Sequence, residues 1–196
     1  MPRGATAGMK NSNLGSILGL GLALPEHSIR QSDAAVYAVA SSVATDKQRK
    51  LAPRLYQRSG VESRYSVLLD SSTNGESASQ NYYAPSTAQQ PFGPSTAERM
   101  RVFQEKSAEL AIQATERALA DSKTTSQDIT HLVTVSCSGF AAPGFDIQVI
   151  EQLKLSRRVP RTHIGFMGCH GALNGLRVAN AFAQADPKAR VLLVAV

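Results

Sequence analysis

The chain has 196 residues, of which 42% are hydrophobic and 18% are charged; this composition is typical of a folded globular protein and excludes disorder of the chain as a whole. The formal net charge of +6 favours an anionic partner: a nucleic acid, a membrane surface or a phosphorylated cofactor. Nucleic acid is disfavoured because no binding motif accompanies the basic residues and only 6% of residues are aromatic. Two cysteines are too few for a disulfide framework, so we expect a reducing, cytoplasmic environment.

The N-terminal region combines a polar leader with an apolar run. Residues 1–13 are polar and without periodicity, which predicts a disordered leader. The run from Leu14 to Leu24 follows Arg3 and Lys10 and so resembles a signal peptide, but three glycines interrupt it and a proline follows. We interpret Ile17 to Leu24 as a buried β-strand. No apolar run reaches 18 residues, so no membrane span is predicted.

Two helices are predicted next. Ser32-Asp33 is a candidate N-cap for a helix through an alanine-rich stretch. A second helix, roughly Thr45 to Gln57, ends at Ser59-Gly60. Most of the chain's basic excess is in or near this second helix, at Lys47, Arg49, Lys50, Arg54, Arg58 and Arg64. Such a cluster is typical of either a solvated helix face or a surface that binds an anion.

A long polar segment and a long helix follow. Residues 66–96 are rich in Ser, Thr, Asn, Gln and Pro, which predicts a loop or an ordered excursion over the surface. Ser95 and Glu98 have the spacing of a capping box, and apolar residues at helical spacing after them predict a helix of about seven turns.

Strands and helices then alternate with short turns, which predicts an α/β fold with a mostly parallel central sheet between helix layers. The predicted elements are a strand at Ile129–Ser136, a helix at Asp146–Leu155, a strand at Thr162–Met167, a helix at Gly171–Ala185 and a strand at Arg190–Val196. The last strand is continuously apolar, as is typical of a fully buried central strand. Because a domain seldom ends in such a strand, we expect the chain to be part of a larger domain.

The segment Phe166-Met-Gly-Cys-His-Gly-Ala172 carries the strongest chemical signal. A strand that turns into a helix exposes the residue at the turn at the carboxyl edge of the sheet, and the helix N-terminus there favours a thiolate. Cys169 is therefore a candidate nucleophile. Two alternatives stay open from these residues alone: a buried structural cysteine, and a redox pair with Cys137.

The region around Cys169 resembles the nucleophile region of type III polyketide synthases, the chalcone and stilbene synthase family. The resemblance extends from Ile17 to Val196. It is carried by the segments Leu18-Gly-Leu-Gly-Leu-Ala-Leu-Pro25, Arg58-Ser-Gly-Val-Glu-Ser-Arg-Tyr65, Pro94-Ser-Thr-Ala-Glu-Arg99, Thr130-His-Leu-Val-Thr-Val-Ser-Cys-Ser-Gly139 and Ala189-Arg-Val-Leu192. It implies a thiolase-like layered α/β/α fold, of which residues 14–196 form the N-terminal half.

The resemblance also implies roles for individual residues. Cys169 falls on the position that is acylated by the starter unit and that holds the growing chain. Cys137 and Ser138 fall on positions that line the substrate cavity, although threonine is usual where this chain has Cys137. Arg54 and Arg58 fall on cationic positions near the coenzyme A phosphates. A third cation, a lysine, is expected at the position where this chain has Leu51, and Lys50 is its neighbour.

The implied activity is the decarboxylative Claisen condensation of malonyl-CoA units onto a CoA-linked starter. Acyl-CoA and malonyl-CoA are the expected partners, coenzyme A thioesters serve as substrates without a covalently bound cofactor or metal, and a homodimer is expected. The family's catalytic histidine and asparagine belong to its C-terminal half, so this chain alone is expected to be inactive. A ketoacyl-carrier-protein synthase of the same fold and a truncated, non-catalytic CoA-binding module are the alternatives. For His170, which follows the nucleophile, we expect local packing or helix capping.

Overall fold

A computed structural model describes residues 15–42, 45–72, 78–89 and 91–196, so the expected leader at residues 1–13 lies outside the described residues. The chain divides into two compact units. One unit spans Ala23–Lys106 and contains the basic helix; the other combines Ser107–Val196 with the described residues up to Leu22 and contains Cys169.

The Ala23–Lys106 unit contains two short strands that pair antiparallel, and two helices that pack together. The elements are β1 (Ser28–Arg30), α1 (Gln31–Ala40), α2 (Asp46–Arg58) and β2 (Ser63–Tyr65). A third helix, α3, spans Thr96–Ser122. Between β2 and α3 the described residues form no helix or strand, and only Ser71 and Ser79 make an isolated bridge. The predicted loop is therefore confirmed.

Local capping interactions start two of these helices where the sequence predicts. The Thr45 side chain accepts a hydrogen bond from the backbone N–H of Gln48, whose side chain in turn accepts one from the Thr45 backbone. The backbone N–H of Ser95 donates to Glu98 Oε2 at 2.7 Å, and the Glu98 backbone N–H donates to Ser95 Oγ at 3.3 Å. Each pair satisfies two backbone donors that the first turn of a helix leaves free.

The predicted N-cap at Ser32-Asp33 is wrong. α1 begins at Gln31, with Arg30 in the N-cap position, two residues before the predicted cap at Ser32. Gln31 is buried, its backbone N–H donates to the carbonyl of Glu62, and its side-chain amide donates to Ser59 Oγ at 2.8 Å. Contacts distant in sequence therefore place the first residue of this helix.

The second unit contains a parallel three-stranded sheet. Its elements in chain order are β3 (His131–Ser136), α4 (Phe145–Gln152), β4 (Arg161–Gly165), α5 (Gly171–Ala185) and β5 (Val191–Ala195). The strand order is β4-β3-β5, and α5 packs against all three strands. The predicted α/β class with parallel strands is confirmed. β5 pairs only with β3, so within the described residues β3 is the central strand and the prediction for β5 is wrong.

The predicted first strand is also wrong. Residues 17–24 form no strand, and the side chains of Ile17, Leu20 and Leu22 are at least 69% exposed rather than buried. The segment lies along α3 instead. Its backbone at Gly21 is so close to this helix that an added Cβ would overlap the carbonyl oxygen of Ala114. The glycines that interrupt the apolar run are thus sites of close backbone approach to a helix. None of the helices among the described residues is long and apolar enough to cross a membrane.

Candidate active site at the carboxyl edge of the sheet

The carboxyl ends of β3 and β4 lie side by side. The two strands run parallel, and their last residues, Ser136 and Gly165, are paired in register. The segments that follow them, 137–144 and 166–170, therefore emerge at the same edge of the sheet. In α/β proteins this is the edge at which ligands bind.

Cys169 lies at this edge of the sheet, in the turn between β4 and α5. It is the middle residue of a 3₁₀ turn, Gly168–His170, that leads directly into α5. Gly168 has φ of 67°, a conformation that glycine adopts without strain. The Cys169 thiol is free and exposed, and no hydrogen bond to its sulfur occurs within residues 15–42, 45–72, 78–89 and 91–196. The thiol is thus open to a substrate and close to the N-terminus of a 15-residue helix.

Small residues hold α5 close to the sheet behind this turn. Gly171 and Gly175 are buried in the first two turns of α5. A Cβ on Gly171 would lie 2.8 Å from Val135 Cγ1, and a Cβ on Gly175 would lie 2.6 Å from Leu193 Cδ1. The position of Cys169 is therefore set by direct contact between the helix backbone and the side chains of β3 and β5.

His170 occupies the N-cap position of α5, but its side chain is exposed and makes no capping hydrogen bond. The expected packing or capping role is therefore wrong. His163 is held on β4, where its Nδ1 lies 2.9 Å from Thr134 Oγ1 and its ring packs edge-on against Phe145. His131 stacks on Phe182, with ring centroids 4.4 Å apart. These contacts account for the positions of His131 and His163 in the sheet, and neither contact requires a catalytic role.

Cys137 and Ser138 follow β3 directly and are both exposed. The turn after them is held by a hydrogen bond of 3.1 Å from Ser136 Oγ to the carbonyl of Gly139. The sheet therefore brings Cys137 and Ser138 to the same edge as Cys169. Both cysteines are free. Among the described residues no group of three or more His, Cys, Asp or Glu side chains is arranged to hold a metal ion.

Two phenylalanines of this edge were not singled out by the sequence reasoning. Phe140 and Phe166 belong to the segments after β3 and β4, their ring centroids are 5.9 Å apart, and they are 55% and 78% exposed. The sequence does contain a signal for them, because no Asp, Glu, Lys or Arg occurs in residues 137–145 or 162–176. The two segments at the edge around Cys169 thus carry no Asp, Glu, Lys or Arg side chain.

The predicted coenzyme A site lies on α2, in the other unit. Lys50, Arg54 and Arg58 follow one another at intervals of four residues, so they share one face of the helix. All three are exposed, and no ion pair to them occurs among the described residues. Leu51 and Leu55 border the same face and are 45% and 57% exposed. The face combines three cations with two apolar side chains.

Residues 4–196 match the family model described as the N-terminal domain of chalcone and stilbene synthases. The chain belongs to the chalcone and stilbene synthase family. Among its curated relatives, the alpha-pyrone synthesis polyketide synthase-like Pks18 of Mycobacterium tuberculosis is 31% identical over 180 residues, which are 92% of this chain and 43% of the relative. Type III polyketide synthase C of Arabidopsis thaliana is 39% identical over 100 residues, which are 51% of this chain and 26% of the relative.

Solved structures of such synthases have the same fold. PKS-I from the brown alga Ectocarpus siliculosus is 33% identical with a TM-score of 0.67, and covers 87% of this chain and 44% of its own. A type III pentaketide synthase from Neurospora crassa is 26% identical with a TM-score of 0.73, and covers 92% of this chain and 45% of its own. The thiolase-like α/β fold is thereby confirmed. The chain spans less than half the length of these relatives.

Proposed function

We propose that this chain is the nucleophile-bearing part of a type III polyketide synthase, which extends a CoA-linked starter with malonyl units. The observation that carries the proposal is the exposed, free Cys169 in the turn between β4 and α5 of a chain that belongs to this family. Cys169 is the only one of the two cysteines that lies next to the N-terminus of a helix.

In the proposed reaction the Cys169 thiolate attacks the carbonyl carbon of the starter thioester. The new carbon–sulfur bond forms as the bond to the coenzyme A sulfur breaks, and coenzyme A leaves as a thiolate. Malonyl-CoA then loses CO2, and the resulting enolate carbon attacks the acyl carbonyl and releases Cys169. The histidine that activates the thiol, and the histidine and asparagine that stabilise the enolate, are expected from a region of the full-length protein outside this chain.

Other residues receive supporting roles in the same proposal. Cys137 and Ser138 line the substrate space, which is supported by their exposure at the same sheet edge as Cys169. Lys50, Arg54 and Arg58 bind the phosphates of coenzyme A, which is supported by their common, unpaired face on α2. We also propose a cytoplasmic homodimer, in which the exposed leucines of α5, Leu173 and Leu176, are candidates for the contact.

The test is the transfer of an acyl group to the natural full-length protein from an acyl-CoA, followed by peptide mapping with mass spectrometry. We expect one acyl group on the peptide that contains Cys169, and none after Cys169→Ala. Cys137→Ala is the matched control for thiol reactivity, because Cys137 is also free and exposed at this edge: in this variant the acyl group should still be found on the peptide that contains Cys169.

The same assay separates the alternatives. Acylation of Cys137 in place of Cys169 would overturn the assignment of the nucleophile. Loading from a carrier-protein thioester but not from the corresponding acyl-CoA would assign the protein to the ketoacyl-carrier-protein synthases. Binding of coenzyme A without acylation of any cysteine would indicate a non-catalytic binding module.

A further inference from the structure

We propose that the Ala23–Lys106 unit holds a binding site for a small aromatic carboxylate, in a cavity beside the side chain of Arg64. The cavity is lined by residues of β1, α1, β2 and the loop that follows β2. This inference goes beyond the proposed function and does not rest on it, because it concerns neither Cys169 nor the transfer of an acyl group.

The cavity has a volume of about 320 Å³. Ligand sites in proteins typically enclose roughly 300–1,000 Å³, so this volume suits a molecule with a single ring. The most buried of its lining residues are apolar, since Ile29 and Leu69 are only 5% and 9% exposed. Three tyrosines add aromatic surface, namely Tyr37, Tyr65 and Tyr83. A flat apolar ring gains free energy by covering such a lining.

The loop side of the cavity is fixed by hydrogen bonds between protein atoms. The Tyr37 hydroxyl on α1 donates to the carbonyl of Ala78 at 3.1 Å. The side chain of Gln80 donates to the carbonyl of Tyr83 at 2.8 Å and accepts from the Tyr83 backbone N–H at 2.6 Å. Because the protein itself holds these walls, a ligand does not have to order the loop when it binds.

Among the described residues, Arg64 is the only charged one that lines the cavity. It lies directly opposite Ile29 in the antiparallel pair, so the two side chains are on the same face of the strands. The Nε of Arg64 donates to Oε1 of the buried Gln31 at 2.6 Å, and its guanidinium carbon lies 5.3 Å from the ring centroid of Tyr56. The guanidinium is therefore held in place from two sides.

These contacts leave the two terminal nitrogens of Arg64 for a ligand. Within residues 15–42, 45–72, 78–89 and 91–196 neither nitrogen donates a hydrogen bond, and no carboxylate forms an ion pair with Arg64. Asp33, in the first turn of α1, pairs with Arg30 instead, at 3.4 Å. Two parallel N–H donors match the two oxygens of a carboxylate. A fixed cation beside an aromatic lining thus favours an aromatic carboxylate over a neutral ligand.

Arg64 contacts α2 on the side away from its basic face. Tyr56, which packs against Arg64, is two residues from both Arg54 and Arg58. A step of two residues turns about 200° around the axis of an α-helix. The phosphates proposed to bind at Arg54 and Arg58 and the carboxylate at Arg64 therefore use different faces of α2, and we expect both ligands to bind at the same time.

The test is the binding of benzoate to the natural full-length protein, measured by isothermal titration calorimetry. We expect one benzoate per chain, and binding of benzamide that is weaker by about tenfold or more, because benzamide has the same ring without the charge. Arg64→Gln should weaken the binding of benzoate to a similar extent. Arg30→Gln is the matched control, because successive side chains of a strand point to opposite faces and Arg30 is exposed where Ile29 is buried.

A second variant keeps Arg64 and fills the cavity. Ala34 lines the cavity from α1, and Ala34→Met should occupy its space without disturbing the helix, since methionine is a good helix former. Val36→Met is the control on the same helix, because Val36 is 69% exposed. Benzoate should raise the unfolding temperature of the natural protein and of Val36→Met, but not that of Ala34→Met.

Each remaining outcome would overturn the inference. Absence of saturable binding at benzoate concentrations up to about 10 mM would do so, as would equal affinity for benzoate and benzamide. Binding that neither Arg64→Gln nor Ala34→Met weakens would show that benzoate binds elsewhere. Displacement of benzoate by coenzyme A would show that the cavity belongs to the coenzyme A site. Failure of acyl transfer to Cys169, by contrast, would overturn the proposed function alone.

Discussion

Gly171→Ala tests how closely α5 must approach the sheet to position Cys169. The added Cβ would lie 2.8 Å from Val135 Cγ1, about 0.6 Å inside the shortest ordinary contact of 3.4 Å. Val135 cannot easily yield, because it is 6% exposed on the central strand and a β-branched side chain has a restricted χ1. We therefore expect the first turn of α5, and Cys169 with it, to move away from the sheet.

The magnitude follows from two opposed contributions. Forcing one extra methyl group into a close-packed contact costs about 1–3 kcal/mol. Replacing glycine by alanine at a helical position returns about 1 kcal/mol. Because Val135 cannot easily yield, we expect a cost in the upper half of that range, about 2–3 kcal/mol, so the net loss in the free energy of unfolding should be about 1–2 kcal/mol. Acylation of Cys169 should slow by an order of magnitude or more, because reacting groups tolerate little misplacement.

Urea unfolding of the natural protein, Gly171→Ala, Val135→Ala and the double variant measures this effect. Val135→Ala removes the atom that clashes, so we expect the double variant to be more stable than the sum of the two single changes by about 0.5–2 kcal/mol. Additive effects, or a Gly171→Ala variant that is as stable as the natural protein, would refute the reasoning. Recovery of Cys169 acylation in the double variant would support it further.

Two further predictions concern α2 and the start of α3. Leu51→Lys supplies the cation that the family resemblance leads us to expect on α2. It should lower the KM for acyl-CoA by about two- to fivefold at low salt without a change in kcat. Gln104→Lys is the control, because it adds the same charge at an exposed position on α3, and an equal effect there would contradict the assignment. The side-chain and backbone hydrogen bonds from Ser95 hold the pKa of Glu98 below its ordinary value of 4.5, so their stabilisation is present at neutral pH and is lost as the pH falls through the lowered pKa. Ser95→Ala should therefore lower stability at pH 7 and flatten the decline in stability below pH 4.5, measured by urea unfolding at a series of pH values; parallel curves would count against this cause.

The sequence by itself determined the features that depend on residues close together in the chain. The capping pairs Thr45 with Gln48 and Ser95 with Glu98 start their helices through hydrogen bonds three residues apart, which is why α2 and α3 begin where predicted. α5 begins and ends at the predicted residues, Gly171 and Ala185, for a similar reason: its apolar spacing and its flanking residues are local. The turn that carries Cys169 was visible in the same way, between an apolar strand and this helix.

Only the tertiary structure decided the features that depend on a partner distant in the chain. The apolar run at residues 17–24 is no strand, because a strand needs a neighbour for its backbone hydrogen bonds and this segment lies along α3 instead. β5 is apolar like a central strand, but its place in the sheet depends on its pairing with β3. The proximity of Phe140 to Phe166 likewise arises from the parallel register of β3 and β4, which joins two residues that are 26 positions apart in the sequence.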